Sequence, residues 1–390
     1  MENWTQGWLA YKPRKDAGNA QLTGRIRITG FDEEQPVMRN AVAEFRRGIR
    51  GMLGGRVTLL HSGELRKGVL ISRQPGIPEE GYRVREADGI LHVDASGEAG
   101  VLYGIFHILR LIAMEEALAG IDVICRPDNP LRMYNHWDNL DGSIERGYSG
   151  DSFFFQKNKI LVNRRTRDYC RLAASVGING VVINNVNVKE AASWLITERY
   201  LGHLKRMAGL FAGYGIRLYL SLNFAAPIEL GGPDSADPFD ADVRAWWRQK
   251  IAEVYEAVPE LGGFLVKADS EGRPGPFTYG RTQADGANML ADLVKPYGGI
   301  ILWRCFVYNC TQDWRDRTTD RARAAYDNFI GTDGDYRDNV ILQIKNGPMD
   351  FQIREPVSPL FGALHRTNQM LEVQIAQEYT GHQIDVCYLI

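Results

Sequence analysis

The stretch Phe-Leu-Val-Lys-Ala-Asp-Ser-Glu at residues 264–271 decides the fold, because an apolar strand there runs directly into charged and polar side chains. Segments of this kind recur seven times after residue 130, at residues 132–137, 180–185, 217–223, 264–271, 300–304, 340–350 and 373–378. Apolar strand bodies with chemistry at their carboxyl ends are typical of parallel (β/α) barrels. The sequence therefore predicts an α/β fold with a (β/α)8 TIM-type barrel.

The predicted barrel occupies residues 128–390 and is one strand short. A barrel of this type closes with eight strands, whereas seven such segments precede Ile390. The alternative is that residues 384–390 form an irregular substitute for the eighth strand. We therefore expect the eighth strand to be missing and the barrel to be incomplete at its C-terminal end.

Residues 1–127 are predicted to form a small α/β domain before the barrel. Residues 89–95 alternate like a half-buried strand, and residues 39–53 and 101–112 are predicted to be helices. Pro127 and Pro130 mark the boundary. His107 lies on an apolar helix, where we expect a core histidine with its hydrogen bonds satisfied rather than a ligand.

Composition restricts the possible partners. The 390 residues are 44% hydrophobic and 24% charged with a net charge of −2, which is typical of a folded globular protein. No basic block favours nucleic acid or an anionic membrane surface. The N-terminus lacks a signal pattern, so a cytoplasmic location is predicted. Five scattered cysteines lack metal-ligand spacing, so we expect buried reduced thiols and no metal site.

Three carboxylates and three cations fall at the ends of predicted strands. The carboxylates are Glu271, Asp350 and Glu378, and the cations are Lys267, Arg304 and Lys345. Two carboxylates with different environments can act as acid and base. Cations on strands are costly unless an anion faces them. That anion is either one of the enzyme's own carboxylates or a carboxylate on the substrate, which Arg304 would bind with its fork.

Residues 135–150 follow the first predicted barrel strand and are dense in polar side chains. A long loop at a barrel mouth usually shapes the pocket. Trp137 in this loop is predicted either to contact a sugar or to cap the core.

Several blocks resemble the α-glucuronidases of glycoside hydrolase family 67. They are NHWDNLDGSIERGYSG (135–150), the stretch from KADSEGRPGPF to DRARAAYD (267–327), DNVILQIKNGPMDFQIREPVSPLFG (338–362) and QIAQEYTG (374–381), and the resemblance extends over essentially all of residues 130–390. The first domain resembles the one that precedes the barrel in that family and in hexosaminidases. The resemblance implies removal of α-1,2-linked (4-O-methyl)glucuronic acid from xylooligosaccharides, with inversion and without a cofactor. It also implies a homodimer in full-length members, through a C-terminal helical domain that this chain is expected to lack.

The resemblance also assigns roles by position. Glu271 matches the general acid, and Asp350 and Glu378 match the carboxylates that activate water. Lys267, Arg304 and Lys345 match residues that hold the uronic carboxylate, and Trp137 matches a pocket residue. Two alternatives stay open: a retaining, hexosaminidase-like glycosidase, suggested by Asp269 two residues before Glu271, and an inactive sugar-binding fragment.

Overall fold

A computed structural model of the protein describes residues 4–147, 150–270, 272–306, 321–346 and 356–374. The predicted carboxylates Glu271, Asp350 and Glu378 lie outside these residues. The chain forms two compact units. One comprises Met1–Tyr134, Val162–Val181 and Met207–Arg217, and the other comprises Asn135–Leu161, Val182–Arg206 and Leu218–Ile390. The domain boundary between residues 127 and 128 stays a prediction.

The first unit contains a six-stranded sheet ordered β2-β1-β3-β5-β4-β6. Its strands are β1 (Arg25–Thr29), β2 (Thr58–Leu60), β3 (Gly68–Arg73), β4 (Tyr82–Ala87), β5 (Ile90–Ala95) and β6 (Asp122–Cys125). The pairings of β1 with β2 and β3, and of β3 with β5, are parallel. Strand β4 runs antiparallel to both β5 and β6.

Three helices accompany this sheet: α1 (Ala20–Thr23), α2 (Pro36–Leu53) and α3 (Glu98–Ala113). Helices α2 and α3 pack closely because Gly48 leaves room for Leu109, whose Cδ2 would lie 2.4 Å from a Cβ at that position. The predicted small α/β domain is therefore confirmed in its elements. His107 on α3 has its Nδ1 2.8 Å from the hydroxyl of Tyr82, as expected of a satisfied core histidine.

The second sheet is parallel and has seven strands among the described residues, ordered β15-β14-β13-β12-β11-β10-β7. Its strands are β7 (Met133–Asn135), β10 (Gly180–Ile183), β11 (Arg217–Leu222), β12 (Leu261–Val266), β13 (Ile300–Arg304), β14 (Val340–Lys345) and β15 (Gln369–Glu372). A separate hairpin consists of β8 (Phe155–Gln156) and β9 (Lys159–Ile160). Neighbours in the sheet follow one another along the chain, as in a (β/α)8 barrel, and the predicted fold class is confirmed.

Helices alternate with these strands. They are α4 (Arg164–Ser175), α5 (Glu198–Ala212), α6 (Ala226–Glu229), α7 (Ala241–Ala257), α8 (Gln283–Val294), α9 (Arg321–Phe329) and α10 (Leu360–Ala363). The helices α4, α7 and α8 begin at side-chain caps from Asn163, Asp240 and Thr282, which satisfy backbone N–H groups of the first turn. Among the helices that the structure describes, none is both long and apolar enough to cross a bilayer.

The seventh barrel strand begins four residues earlier than predicted, and residues 375–378 of the predicted strand lie outside the described residues. The structure puts β15 at Gln369–Glu372, and Val373 and Gln374 lie beyond its end. The register pairs Leu342 with Gln369 and Lys345 with Glu372. The sequence of β15, Gln-Met-Leu-Glu, has polar residues at both ends, whereas the prediction followed the more apolar residues 373–376. Burial of Glu372 depends on a partner elsewhere in the chain, which apolar patterning does not detect.

A buried ionic cluster lies within the first unit. The guanidinium of Arg171 donates from Nε and Nη2 to the carboxylate of Glu44, at 2.9 and 2.6 Å, and from Nη1 to Asp168 at 2.7 Å. The Tyr11 hydroxyl also donates to Glu44, at 2.7 Å. All four residues are buried. Because charge without a partner is costly in an apolar interior, this cluster ties α2 and α4 together only as long as it is complete.

Candidate active site

Three cations end neighbouring strands of the barrel sheet. Lys267 directly follows β12, Arg304 is the last residue of β13, and Lys345 is the last residue of β14. Their exposed fractions are 8%, 2% and 5%. Carboxyl ends of parallel strands lie at one edge of a sheet, so these buried charges belong to one mouth.

The ring of Phe306 brings the three cations together. Its centroid lies 5.0 Å from Nζ of Lys267, 4.3 Å from Nζ of Lys345 and 5.2 Å from Cζ of Arg304. The face of an aromatic ring attracts cations and so offsets part of their mutual repulsion. Phe306 was missed in the sequence analysis. Its N–H donates to the carbonyl oxygen of Arg304, at 2.8 Å, so the chain turns directly after β13, and strand patterning does not reveal where the ring lies.

Arg304 binds a carboxylate of the protein itself. Its Nε and Nη2 donate to Oε2 and Oε1 of Glu372, at 2.8 and 2.7 Å, and Glu372 is 8% exposed. The possibility that a cation faces an internal carboxylate therefore holds for Arg304. The partner is none of the three predicted carboxylates, because Glu372 ends the strand that was predicted too late in the chain.

Two further side chains contact the cations. The Nζ of Lys267 donates to Oδ1 of Asn187, at 2.6 Å, and Asn187 lies in the loop after β10. The guanidinium carbon of Arg304 lies 5.0 Å from the ring centroid of Trp137, which is half-buried. Trp137 thus lies beside the cation cluster, and its contact with a sugar stays a prediction. Asn187 was not identified from the sequence, because its position depends on the course of a loop.

Asp269, three residues after the end of β12, anchors the chain that follows this strand. This carboxylate accepts hydrogen bonds from the backbone N–H of Phe277, at 3.1 Å, and from Nε2 of Gln283, at 2.6 Å. Gln283 is buried and accepts a hydrogen bond from Nε1 of Trp303, at 2.9 Å. Burial raises the pKa of Asp269 above its ordinary value. Gly275 is needed here, since a Cβ at its position would lie 2.4 Å from Cγ of Asp269.

The polar loop after β7 contains a buried acid. Asp138 is 2% exposed and accepts a hydrogen bond from the hydroxyl of Ser152. Burial raises the pKa of Asp138 to about 6, and the hydrogen bond from Ser152 opposes that shift. Burial likewise lowers the pKa of His136 to about 4. The amide of Asn185 donates to Oδ1 of Asn139, at 3.0 Å, and holds the loop against the end of β10.

Replacing Asp138 with asparagine should stabilise the protein at alkaline pH and not at acid pH. The folded-state pKa of about 6 lies above the usual aspartate value, so this group favours folding at low pH. That contribution is lost as the pH rises through about 6, where folding must bury an ionised carboxylate. The neutral amide avoids this cost, and we expect a gain of roughly 1–3 kcal/mol at pH 8 that disappears near pH 4.

Thermal unfolding of both proteins at the two pH values measures this difference. Asp141→Asn is the matched control in the same loop, because hydrogen bonds from Ser143 lower the pKa of Asp141. The control should give no gain at pH 8. An equal change in Tm at both pH values for Asp138→Asn would contradict a buried ionisation.

In the described part of the chain, no group of three or more His, Cys, Asp or Glu side chains is arranged to hold a metal ion. The three cysteines that the structure describes, Cys125, Cys170 and Cys305, are free thiols. Burial raises the pKa of Cys170 and Cys305, so neither is an activated nucleophile.

Family models match nearly the whole chain. The model of the glycosyl hydrolase family 67 N-terminus matches residues 7–108, and that of the family 67 middle domain matches residues 111–390. The chain belongs to glycoside hydrolase family 67. In this family 67 chain, the cations at the ends of β12, β13 and β14 all fall within the middle domain.

Two relatives illustrate the similarity. A probable alpha-glucuronidase A from Aspergillus terreus is 42% identical over 405 residues, covering 100% of this chain and 48% of the relative. Alpha-glucuronidase A from Emericella nidulans is 41% identical over 417 residues, with the same coverage of 100% and 48%. The chain thus spans about half the length of the curated relatives it matches.

Solved structures of lower identity share the fold. A β-N-acetylhexosaminidase from Bacteroides fragilis gives a TM-score of 0.52 at 14% identity, covering 84% of this chain and 66% of that chain. A GH138 enzyme targeting pectin rhamnogalacturonan II gives a TM-score of 0.53 at 14% identity, covering 83% and 38%. At this identity the likeness concerns the fold alone.

Proposed function

We propose that this family 67 protein is an inverting α-glucuronidase that removes α-1,2-linked (4-O-methyl)glucuronic acid from xylooligosaccharides. The observation that carries the proposal is the cluster of Lys267, Arg304 and Lys345 around the ring of Phe306. Three buried cations at the mouth of a barrel favour a substrate that brings a negative charge. The alpha-glucuronidase relatives support a uronic acid as the carrier of that charge.

In the proposed reaction, Glu271 donates a proton to the xylose oxygen that leaves. Asp350 and Glu378 position and deprotonate the water that attacks the opposite face of the uronic acid. Inversion requires room for this water, so a carboxyl separation of about 6.5–9.5 Å is expected between Glu271 and one of the other two. A separation near 5 Å from both would favour a nucleophile and retention of configuration.

The contacts of Arg304 refine how the uronate would be held. Its Nε and Nη2 bind Glu372, so the fork that the sequence assigned to the substrate serves an internal carboxylate. The ammonium groups of Lys267 and Lys345 then become the direct ionic partners of the uronate. Arg304 contributes a fixed positive charge beside them, and Trp137 supplies an apolar surface next to that charge.

Replacing Arg304 with lysine should lower kcat/KM for the uronosyl substrate. A single ammonium group cannot reproduce the two parallel bonds to Glu372 or the contact of the guanidinium with the ring of Trp137. We expect a loss of about 1–3 kcal/mol in transition-state stabilisation, or roughly 5- to 150-fold. Steady-state kinetics on a glucuronosyl xylotriose measures it. The control is Arg337→Lys, at an exposed pair with Asp292. An unchanged kcat/KM for Arg304→Lys would show that Arg304 has only a structural role.

The second candidate is a retaining, hexosaminidase-like glycosidase. The fold likeness to the Bacteroides fragilis enzyme and the presence of Asp269 near position 271 favour it. Against it, the carboxylate of Asp269 is engaged by Phe277 and Gln283. An N-acetylhexosamine would also bring no charge to the three cations. A third candidate is a sugar-binding protein without activity.

One assay separates these three candidates. The proposed function predicts release of glucuronic acid from aldouronic oligosaccharides and no release of N-acetylglucosamine from a chromogenic glycoside. The opposite pattern would favour the hexosaminidase-like reaction. Binding of the aldouronic oligosaccharide without release would favour the inactive sugar-binding protein. The cytoplasmic location remains a prediction, which fractionation would test. The homodimer is implied for full-length members only, and light scattering would show whether this chain forms one.

A further inference from the structure

We propose that Glu372 is a positioning residue that fixes the guanidinium of Arg304 for recognition of the charged sugar. This inference rests on the proposed function, since it assumes that the cation cluster receives a uronate. It concerns a carboxylate outside the predicted set of acid, base and cations. Glu372 acts through Arg304 and does not take part in proton transfer.

The backbone holds Glu372 in a defined place. Its main-chain carbonyl accepts a hydrogen bond from the N–H of Asn346, at 2.8 Å, and the register pairs it with Lys345. Arg304 pairs with Gln343 on the other side of the same strand, β14. The Arg304–Glu372 bonds therefore bridge two strands across β14, and both bonds have the short, parallel geometry of a bidentate pair.

The guanidinium is further restrained by two aromatic rings. Its central carbon lies 5.0 Å from the centroid of Trp137 and 5.2 Å from that of Phe306. With a bidentate carboxylate and two rings as neighbours, Arg304 has little freedom to change its rotamer. Fixed charges stabilise a transition state without reorganising during the reaction, which is where their catalytic advantage lies.

Glu372 also compensates positive charge in the site. Without it, the buried guanidinium of Arg304 would lose its bidentate carboxylate in a site that also holds the ammonium groups of Lys267 and Lys345. Glu372 compensates one of these charges at the position farthest from solvent, since Arg304 is only 2% exposed.

Position and countercharge make different predictions. If Glu372 only compensated charge, Glu372→Gln would make the cluster more positive, so KM for a uronate would fall and kcat would stay constant. If Glu372 fixes Arg304, the Glu372→Gln substitution lets the guanidinium move away from the position that its charge occupies in the transition state. Misplacement on the order of 1 Å costs up to about 100-fold, so kcat should fall about 10- to 100-fold without an increase in KM.

Glu372→Asp separates the two roles again. It keeps the carboxylate charge but shortens the side chain by one methylene, which withdraws it from the guanidinium. A positioning role predicts that Glu372→Asp loses kcat nearly as much as Glu372→Gln, whereas a countercharge role predicts that Glu372→Asp keeps both kcat and KM of the wild type. In a double-mutant cycle with Arg304→Lys, the losses should overlap rather than add, because both substitutions remove the same oriented charge.

The experiment measures kcat and KM on a glucuronosyl xylotriose and on its uncharged methyl ester. The loss in kcat should appear on the acid and be less than about threefold on the ester, whose carboxyl group has no charge for Arg304 to meet. Asp338→Asn removes a carboxylate from an exposed pair with Lys295 and serves as the control. Thermal unfolding of each variant accompanies the kinetics.

Several results would overturn the proposal. They are equal losses on acid and ester, additive losses in the cycle, or rescue by Glu372→Asp. If the wild-type protein releases glucuronic acid and the Glu372 variants give any of these results, only the positioning role of Glu372 is rejected. A wild-type protein that releases no uronic acid rejects the proposed function, and this inference with it.

Discussion

Replacing Glu271 with alanine should slow hydrolysis of natural xylosyl linkages by about 10²- to 10⁴-fold, the usual contribution of a general acid. The xylose oxygen is a poor leaving group and needs a proton as the glycosidic bond breaks. A glucuronosyl fluoride needs no such proton, so the same variant should retain most of its activity on that substrate.

The comparison of the two substrates identifies the role of Glu271. Glu260→Ala removes an exposed carboxylate just before β12 and should leave both rates unchanged. Equal losses of Glu271→Ala on xylosyl and fluoride substrates would show that Glu271 is not the acid. The role of the acid would then have to be assigned to another carboxylate, and Asp350→Ala and Glu378→Ala would be tested on the same two substrates.

Replacing Arg171 with methionine should destabilise the protein by about 3–5 kcal/mol, the usual cost of removing one partner from a buried ion pair. The substitution leaves the carboxylates of Glu44 and Asp168 buried without their guanidinium. Met fills a similar volume, so the loss reports the stranded charges rather than a cavity. Urea unfolding followed by circular dichroism measures the change.

An exposed pair provides the matched control for Arg171. Arg83 and Asp122 also form two hydrogen bonds, at 2.7 and 2.6 Å, but their side chains are 39% and 54% exposed. Arg83→Met should therefore cost less than about 1 kcal/mol. Similar losses for both substitutions would contradict the view that burial determines the importance of the Arg171 cluster.

The barrel could be predicted from sequence because strands β11 to β14 are buried along their length. Their inward and outward faces are both largely covered, so each appears as a short apolar run that ends in a polar residue or is followed directly by one. Strand β15 does not show this apolar pattern. Its last residue, Glu372, is compatible with burial only through Arg304, a partner 68 positions earlier in the chain.

The cations of the site were predictable and their surroundings were not. Lys267, Arg304 and Lys345 follow from the positions of strand ends, which spacing along the chain defines. Phe306 and Asn187 lie in loops, whose course depends on packing with distant segments. Asp269 shows the same limit, since its contacts with Phe277 and Gln283 exist only once the loop has folded.

Proton NMR of a glucuronosyl xylotriose during the first minutes of hydrolysis tests the proposed function most directly. An inverting α-glucuronidase should release free xylotriose and glucuronic acid whose β-anomer appears first, before mutarotation produces the α-anomer. Initial appearance of the α-anomer would contradict inversion and favour a covalent intermediate. Intact substrate after prolonged incubation with the protein would contradict the assignment of Lys267, Arg304 and Lys345 to a uronate that is cleaved.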